Sequence, residues 1–311
     1  MRARRPRGRA AIALAAALVM ALAGCTRAGG NGTPGGSGGG GPVRVVTTIS
    51  ILADIVRHVG GDRVSVTSIV PAGVGPEDYE PRPDDARALA SARLVVSNGV
   101  GLDDFLQRLL DAGSGGDAAR AVLGQAIPTI DTDGRPNPHF WLDPTLVARY
   151  YVDTLVTALG QVDPAGAATY RANGAAFAAE LARLDAELQA KVATIPPADR
   201  RLVTDHDAFP YFARHYGLTL EGVVLPNVGQ DPTAADMAAL VGRIRSLGIK
   251  AVFAESQFNP KLAQTLADEA GVKVVATLYS DTLGPPPADT YEGLLRYDVE
   301  QVVAGLTGTA S

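Results

Sequence analysis

The sequence contains one cysteine, few aromatic residues and no hydrophobic run long enough to span a bilayer. Because there is a single cysteine among 311 residues, an internal disulfide framework and a CxxC metal or redox site are excluded. Aromatic residues make up only 5% of the chain, which argues against a surface that stacks on sugars or bases. The longest apolar run, 10–23, has 14 residues, fewer than the roughly 20 that a membrane-spanning helix needs.

Basic residues are scarce beyond the first nine positions. Residues 1–25 carry five arginines and no acid, so the remainder has 23 basic against 33 acidic residues and a net charge of −10. A general nucleic-acid binder needs a basic surface, and we therefore expect no nucleic-acid partner. An acidic body instead suits a cationic ligand. With 46% hydrophobic and 20% charged residues, the chain can bury a core.

The first 25 residues have the pattern of a bacterial secretion signal. A basic stretch, Met1–Arg9, precedes the apolar run, which ends in Leu22-Ala23-Gly24-Cys25. This ending resembles the lipobox of bacterial lipoproteins, in which the cysteine becomes the lipidated first residue after cleavage. We therefore predict lipidation at Cys25 and a place in the cell envelope, anchored by lipid to the outer face of the cytoplasmic membrane. A buried apolar cysteine is the weaker alternative, because nothing around Cys25 could form a core.

The next segment, 26–42, holds nine glycines in 17 residues and predicts a flexible tether. Beyond it, strand-like and helix-like runs alternate in two separate series. Strand patterns occur at 43–49, 64–70, 94–98 and 127–130, and again at 201–205, 218–224, 250–255 and 272–278. Such alternation predicts an α/β fold with mostly parallel sheets.

Between the two series, from Pro164 to about Val192, strand patterns are absent. Apolar residues recur there at steps of four, three and four, at Phe177, Leu181, Leu184 and Leu188. This spacing predicts a helix of nearly 30 residues and about 45 Å, although Gly174 weakens it. The predicted limits are a signal peptide at 1–25, the tether at 26–42, an N-terminal α/β lobe at 43–162, a bridging helix at 163–195 and a C-terminal α/β lobe at 196–311.

Metal-ligating residue types occur just after four of the predicted strands. They are Glu77 and His139 in the first series, and His206 and Asp281 in the second. Ligands of open α/β sheets bind outside the carboxyl ends of the strands. Since imidazole and carboxylate together suit a divalent transition ion, four such residues favour a shared metal site over isolated caps or surface charges.

The segments around these residues resemble one known family. GVGPEDYEPRPDDARALASARLVVSNGVGLDDFL, NPHFWLDP, VTDHDAFPYFARHYGL, VFAESQFNPKLAQTLADEAGV and LYSDTLG are similar to the zinc- and manganese-type solute-binding lipoproteins of bacterial ABC transporters, over about residues 43–307. The resemblance implies two α/β lobes bridged by one rigid helix. It also implies a non-enzymatic protein that binds one metal ion between the lobes and delivers it to a membrane permease. By motif, the implied ligands are Glu77, His139, His206 and Asp281.

One ligand position departs from the commoner pattern of that family. Glu77 stands between Pro76 and Asp78, where the family usually has histidine. A carboxylate is a legitimate ligand for manganese or zinc, so the expected cargo is one divalent ion of either metal. The chain also has no His-rich loop before His139. Manganese is slightly favoured, because two carboxylates give a harder donor set than one.

Other residues near the motifs are expected to play supporting roles or none. Asp143, Asp207 and Glu255 are expected to support the ligands by hydrogen bonding, although capping of helices explains the first two equally well. Trp141 is expected to shield the site or to pack in the wall of the cleft. Two further histidines, His58 and His215, have no partner motif and are expected at the surface or at helix ends.

Three alternatives compete with a lipid-anchored, monomeric metal-capture protein. A metal-dependent hydrolase of the cell envelope would need an open position on the metal and a nearby base, which Glu255 or Asp207 could supply. A surface adhesin would need adhesive repeats or an exposed apolar stripe, and the sequence has neither. A binder of organic ligands with the same architecture would be expected to carry more aromatic and arginine residues than this chain does.

Overall fold

The computed structural model describes residues 41–77, 79–111, 116–132 and 134–308. Gly40–Ser311 forms one compact unit. The predictions for Cys25, for the signal peptide and for most of the tether lie outside the described residues. Within the described part of the chain, no helix combines the length and the apolar character needed to cross a membrane.

The first half is built on a four-stranded parallel sheet. Its strands are β1 Val43–Thr47, β2 Val64–Ser68, β3 Leu94–Ser97 and β4 Ala119–Val122, in the order β2-β1-β3-β4. Three helices connect these strands or flank them: α1 Ser50–Gly60, α2 Pro83–Ser91 and α3 Asp104–Leu109. Parallel neighbours require crossover connections of this kind, so the sequence alternation is realised as expected.

A short connecting region follows the first sheet. It contains an antiparallel pair, β5 Asp131–Thr132 and β6 Arg135–Pro136, and a 3₁₀ turn at Phe140–Leu142. A continuous helical stretch then runs through α4 Pro144–Leu146, a π-helical turn Val147–Tyr151 and α5 Val152–Val162. This stretch leads to the long helix α6, Ala167–Val192, which a 3₁₀ turn at Pro164–Gly166 precedes.

The second half repeats the architecture of the first. Its strands are β7 Arg201–Thr204, β8 Thr219–Val223, β9 Ala251–Glu255 and β10 Lys273–Leu278, all parallel, in the order β10-β9-β7-β8. Its helices are α7 Pro210–Tyr216, α8 Ala234–Leu247, α9 Lys261–Ala270 and α10 Tyr291–Thr307. Counted from the first strand of each half, both sheets have the order second, first, third, fourth. The two halves are therefore topologically equivalent.

The fourth strand of the first sheet lies earlier in the chain than the sequence pattern predicts. Residues 119–122 pair with β3, whereas 127–130 forms no strand. The expectation for 127–130 is wrong for a simple reason: Pro128 lacks the N–H that a ladder needs, and Ile130 N donates instead to the hydroxyl of Tyr211 at 2.8 Å.

The long helix α6 packs along both halves. Its buried stripe includes Phe177, Leu181, Leu184 and Leu188, as the spacing predicts. One hydrophobic cluster runs without interruption from the first sheet through α6 to the helix α10 of the second half. A smaller cluster covers the other face of the second sheet beneath α8 and α9. The helix thus fixes the two halves to a shared core, although the exact limits of the lobes remain a prediction.

Gly174 lies where α6 approaches α5 most closely. A Cβ atom at this position would lie 2.7 Å from Val156 Cγ2 and 3.0 Å from Val152 Cγ1. The glycine therefore does not break the helix; it permits close packing of two helices, which outweighs its poor helix propensity.

We expect Gly174→Ala to lower the free energy of unfolding by about 1–2 kcal/mol, because overpacking of about 1–3 kcal/mol exceeds the roughly 1 kcal/mol gained in helix propensity. The matched control is Gly242→Ala in α8, where an added Cβ meets no atom within 4 Å. That change is expected to stabilise the protein by about 0.5–1 kcal/mol. Urea unfolding of both variants checks the pair, and equal shifts of the same sign would contradict the packing explanation.

Candidate metal centre

The structure brings together the four residues that follow strands in the sequence. Glu77 lies in the loop after β2, His139 before the 3₁₀ turn Phe140–Leu142, His206 two residues after β7, and Asp281 after β10. Each offers one donor atom, and these four atoms lie within 4.8 Å of one another. Two donors from each half therefore converge on one point, although no strand of the first four-stranded sheet directly precedes His139.

The distances within this group are those of atoms that face a common centre. The two imidazole Nε2 atoms lie 3.3 Å apart. Asp281 Oδ1 lies 3.2 Å from His139 Nε2, and its Oδ2 lies 3.2 Å from His206 Nε2. Glu77 Oε1 is the most distant member, at 4.0 Å and 3.7 Å from the same two nitrogens.

A side-chain oxygen lies behind each imidazole and fixes which ring nitrogen faces the site. The Nδ1 atom of His139 lies 3.0 Å from Asn137 Oδ1, which can only accept, so Nδ1 carries the proton. The Nδ1 atom of His206 lies 2.7 Å from Glu255 Oε2. In both rings the Nε2 lone pair is thereby directed to the centre, as in metal-ligating histidines generally.

Asp281 is fully buried and only partly paired. Its Oδ2 accepts hydrogen bonds from Gln257 Nε2 at 2.6 Å and from Ser280 Oγ at 3.2 Å. Its Oδ1 has no hydrogen-bond donor among the described residues. A buried carboxylate oxygen without a partner is costly, and this one faces the imidazole nitrogens, where a cation would satisfy it.

The site concentrates negative charge in a place with little water. Burial and the negative charge of Asp281 raise the pKa of Glu77 to about 8. Burial alone would disfavour a charged His206, but the carboxylates of Glu255 and Asp281 outweigh it and raise the pKa of His206. Burial likewise favours the neutral form of Asp281, yet the two histidines hold its pKa below the usual range. The group therefore favours positive charge at its centre.

A cleft opens beside this group. Its volume is about 1290 Å³, and residues of both halves line it, among them Glu77, His139 and His206. The side chain of Glu77 is 23% exposed, whereas those of the other three are 0–6% exposed. Glu77 thus stands at the entrance of the site, and the other donors lie behind it.

The three acidic residues expected to support the ligands differ in position. Glu255 accepts the backbone N–H of His206 at 2.8 Å and lies against its ring. Asp207 accepts hydrogen bonds from Asn137 Nδ2, and it therefore influences the orientation of His139 indirectly, through Asn137. Asp143 caps α4 through Thr145 and contacts His215, and none of its described contacts reaches the four donors.

Trp141 is fully buried and its ring centroid lies 5.2 Å from that of His139. Its indole N–H donates to the carbonyl of Ser280 at 2.6 Å. It therefore packs in the wall of the site, as expected from its place two residues after the ligand position. The remaining histidines, His58 and His215, lie in the last turns of their helices and outside the four-residue group.

Sequence reasoning missed the amide side chains that hold the ligands. Asn137 stands two residues before His139 and Gln257 two residues after Glu255, so both lie inside the motifs. Their positions two residues from His139 and Glu255 could have indicated this role. Phe258, whose ring centroid lies 5.1 Å from that of His206, was also missed.

The protein has two α/β halves with parallel sheets, both fixed to one long helix, and two imidazoles and two carboxylates lie between them. This combination defines the class of two-lobed metal-binding solute receptors. The chain belongs to the ZnuA family, described as the periplasmic component A of a zinc-uptake complex, whose model matches residues 45–305. This confirms the resemblance drawn from the motifs.

Individual relatives are named for different metals. The manganese-binding lipoprotein MntA of Halalkalibacterium halodurans is 34% identical over 85% of this chain and 89% of its own length. The iron-binding protein YfeA of Yersinia pestis is 33% identical over 84% and 86%. The solved structure of the periplasmic zinc-binding protein TroA from Treponema pallidum is 28% identical, with a TM-score of 0.79 over 86% of this chain and 99% of that one. The family and fold are thus shared by proteins named for manganese, iron and zinc.

Proposed function

We propose that this protein captures one divalent transition metal ion outside the cytoplasm and delivers it to an ABC-type importer. The observation that carries the proposal is the convergence of two imidazoles and two carboxylates, two from each half, on one point. Several curated relatives are named metal ABC transporter substrate-binding lipoproteins, which supports a permease and its ATPase as the partner.

The proposed ligands are Glu77, His139, His206 and Asp281. Their work is binding and handover, for which the hydrogen bonds that Asn137 and Glu255 accept from His139 and His206 suffice, and no catalytic base is needed. A hydrolase or an adhesin, two of the competing functions, has no support in the family to which the chain belongs. Because both pairs of ligands belong to the same chain, we also propose that the protein acts as a monomer.

His139→Ala and His206→Ala are each expected to lower metal affinity by about 100-fold or more, since zinc sites with four ligands bind with about 10–16 kcal/mol in total. Competition with a chromophoric chelator measures the affinity, and circular dichroism checks the fold. His215→Gln, a histidine outside the group, is the control and should bind as the parent does. Parent-like affinity in both ligand variants would show that the metal binds elsewhere.

We propose manganese as the carried ion and expect zinc to bind as well. Carboxylates suit manganese comparatively well, and Glu77 replaces the histidine commoner at this position. A bidentate carboxylate would also raise the coordination number above the four that zinc prefers. Because zinc binds more tightly than manganese at most such sites, the ratio of affinities in two matched proteins is more informative than affinity in one.

Glu77→His is therefore expected to raise the ratio of zinc to manganese affinity by about tenfold or more, equivalent to about 1.4 kcal/mol. The ratio is measured in parent and variant at one pH. Glu77→Gln, which keeps the size of the side chain and removes its charge, serves as the control. A ratio that stays level or falls in Glu77→His would remove the reason for favouring manganese.

We further propose that a lipid on Cys25 anchors the protein to the outer face of the cytoplasmic membrane. The lipobox-like ending Leu22-Ala23-Gly24-Cys25 supports this, as do the relatives named lipoproteins.

Cys25→Ala removes the acceptor for the lipid, so we expect it to move the protein out of the membrane fraction while its metal affinity stays unchanged. Fractionation followed by immunoblotting checks the location. If the variant sediments with membranes to the same extent as the parent, the anchor is not at Cys25.

A further inference from the structure

A second group of metal-ligating side chains lies outside the cleft, where α1 of the first half meets α10 of the second. It consists of Asp54 and His58, one turn apart on α1, and Glu292 in the first turn of α10. The Nε2 atom of His58 lies 3.5 Å from Asp54 Oδ2 and 3.4 Å from Glu292 Oε2. These three donor atoms lie within 4.8 Å of one another.

The spacing of these donors is that of ligand atoms around a shared ion. A tetrahedral ion with bonds of about 2.0–2.2 Å holds its ligand atoms about 3.3–3.6 Å apart. In the cleft, the imidazole nitrogens lie 3.2 Å from the oxygens of Asp281. The nitrogen of His58 is nearly equidistant from both oxygens, as around a common centre.

Glu292 supports the site through the burial of its carboxylate. Its side chain is only 9% exposed. Its Oε2 atom has no hydrogen-bond donor among the described residues and points to the nitrogen of His58. A buried carboxylate oxygen is stable only when a donor or a cation satisfies it. An ion between Glu292 and His58 would satisfy it.

The other two donors are held in place by their surroundings. Asp54 Oδ2 accepts the backbone N–H of Tyr291 at 2.9 Å, which orients its carboxylate. The ring of His58 stacks on Phe177 of α6, with centroids 4.3 Å apart and planes 13° apart. The side chain of His58 is 31% exposed, so solvent reaches the group and can supply a water ligand. The protein therefore holds the three donor atoms in place and leaves one side of the group open to solvent.

His215 shows that a histidine between two carboxylates does not by itself make such a group. It contacts Asp143 through Nδ1 at 3.5 Å and Asp185 through Nε2 at 2.6 Å. The two carboxylates therefore lie on opposite edges of the ring, and their oxygens do not face one nitrogen. His58, in contrast, faces both of its carboxylates with the same nitrogen.

We propose that Asp54, His58 and Glu292 form a second divalent-metal site, separate from the cleft, in which an ion of the zinc class joins α1 to α10. One imidazole, two carboxylates and a water complete four-coordination. The ion has a structural role, linking the two halves, and is not transported. Because it binds only the folded chain, it stabilises the fold according to its concentration and affinity.

The test uses the full chain with zinc as the probe. Parent protein at neutral pH is expected to bind two zinc ions in equilibrium dialysis with elemental analysis. The cleft variant His139→Ala/His206→Ala is expected to keep one, and zinc is expected to raise its melting temperature. Adding His58→Gln or Glu292→Gln to that variant should lower the remaining affinity by at least about tenfold and remove the zinc-dependent rise. His215→Gln in the same background is the matched control and should change neither.

Asp54→Asn, which keeps the shape of the side chain, provides a third variant should either of the others fold poorly. A parent that binds a single zinc ion, lost in the cleft variant, overturns the proposal. So does a second ion that His58→Gln and Glu292→Gln both retain. A parent with one zinc ion that survives in the cleft variant and is lost with His58→Gln would support the second site and refute the proposed cleft ligands, so the two failures are distinguishable.

Discussion

The metal site in the cleft depends on one constraint. Carboxylates and imidazoles from two different halves must all be held within bonding distance of one ion. Hydrogen bonds across the boundary impose it. Trp141, two residues after His139, donates to the carbonyl of Ser280, which directly precedes Asp281, and Tyr291 Oη donates to the carbonyl of Trp141 at 2.6 Å. Both tryptophan and tyrosine are fully buried, so these bonds do not compete with water. The loops that carry one donor from each half are thereby tied together directly.

The same constraint explains why the two halves share a core. Donors spaced about 3.3 Å apart tolerate little relative movement of the elements that carry them. A hydrophobic cluster that continues from the first sheet through α6 into α10 resists such movement, because separating the halves would expose apolar surface at about 25 cal/mol per Å². The tight contact of Gly174 with α5 belongs to this arrangement, since it brings the bridging helix close to the first half. The long helix α6 contributes no ligand. Its packing nevertheless holds the two halves, and therefore the ligands, in their relative positions.

Much of this could be predicted from the sequence, and the rest could not for identifiable reasons. The alternation of strands and helices and the stripe Phe177–Leu188 depend on local periodicity, so they were predicted. The fourth strand was misplaced because Ala119–Val122 is a weak pattern that only pairing with β3 stabilises. The strand predicted before His139 does not form, so only the convergence of Glu77, His206 and Asp281 followed from their places after strands. The roles of Asn137 and Gln257 did not, because an amide becomes an orienting group only when folding brings it against a ring or a carboxylate.

Glu77 combines two properties that the other donors lack. It is the one position that departs from the commoner family pattern, and it is the most exposed of the four side chains. The hydrogen bonds described above join the loops of His139 and Asp281, and the shared core fixes the sheets, so access through separation of the halves would break both. Movement of the loop that carries Glu77 would leave the hydrogen bonds of Trp141 and Tyr291 intact. An ion entering from the cleft therefore meets Glu77 first and the two imidazoles and Asp281 afterwards. Under the proposed function, Glu77 is both the ligand that makes the donor set harder and the first donor that an entering ion meets, so selectivity among metals and access to the site would depend on the same side chain.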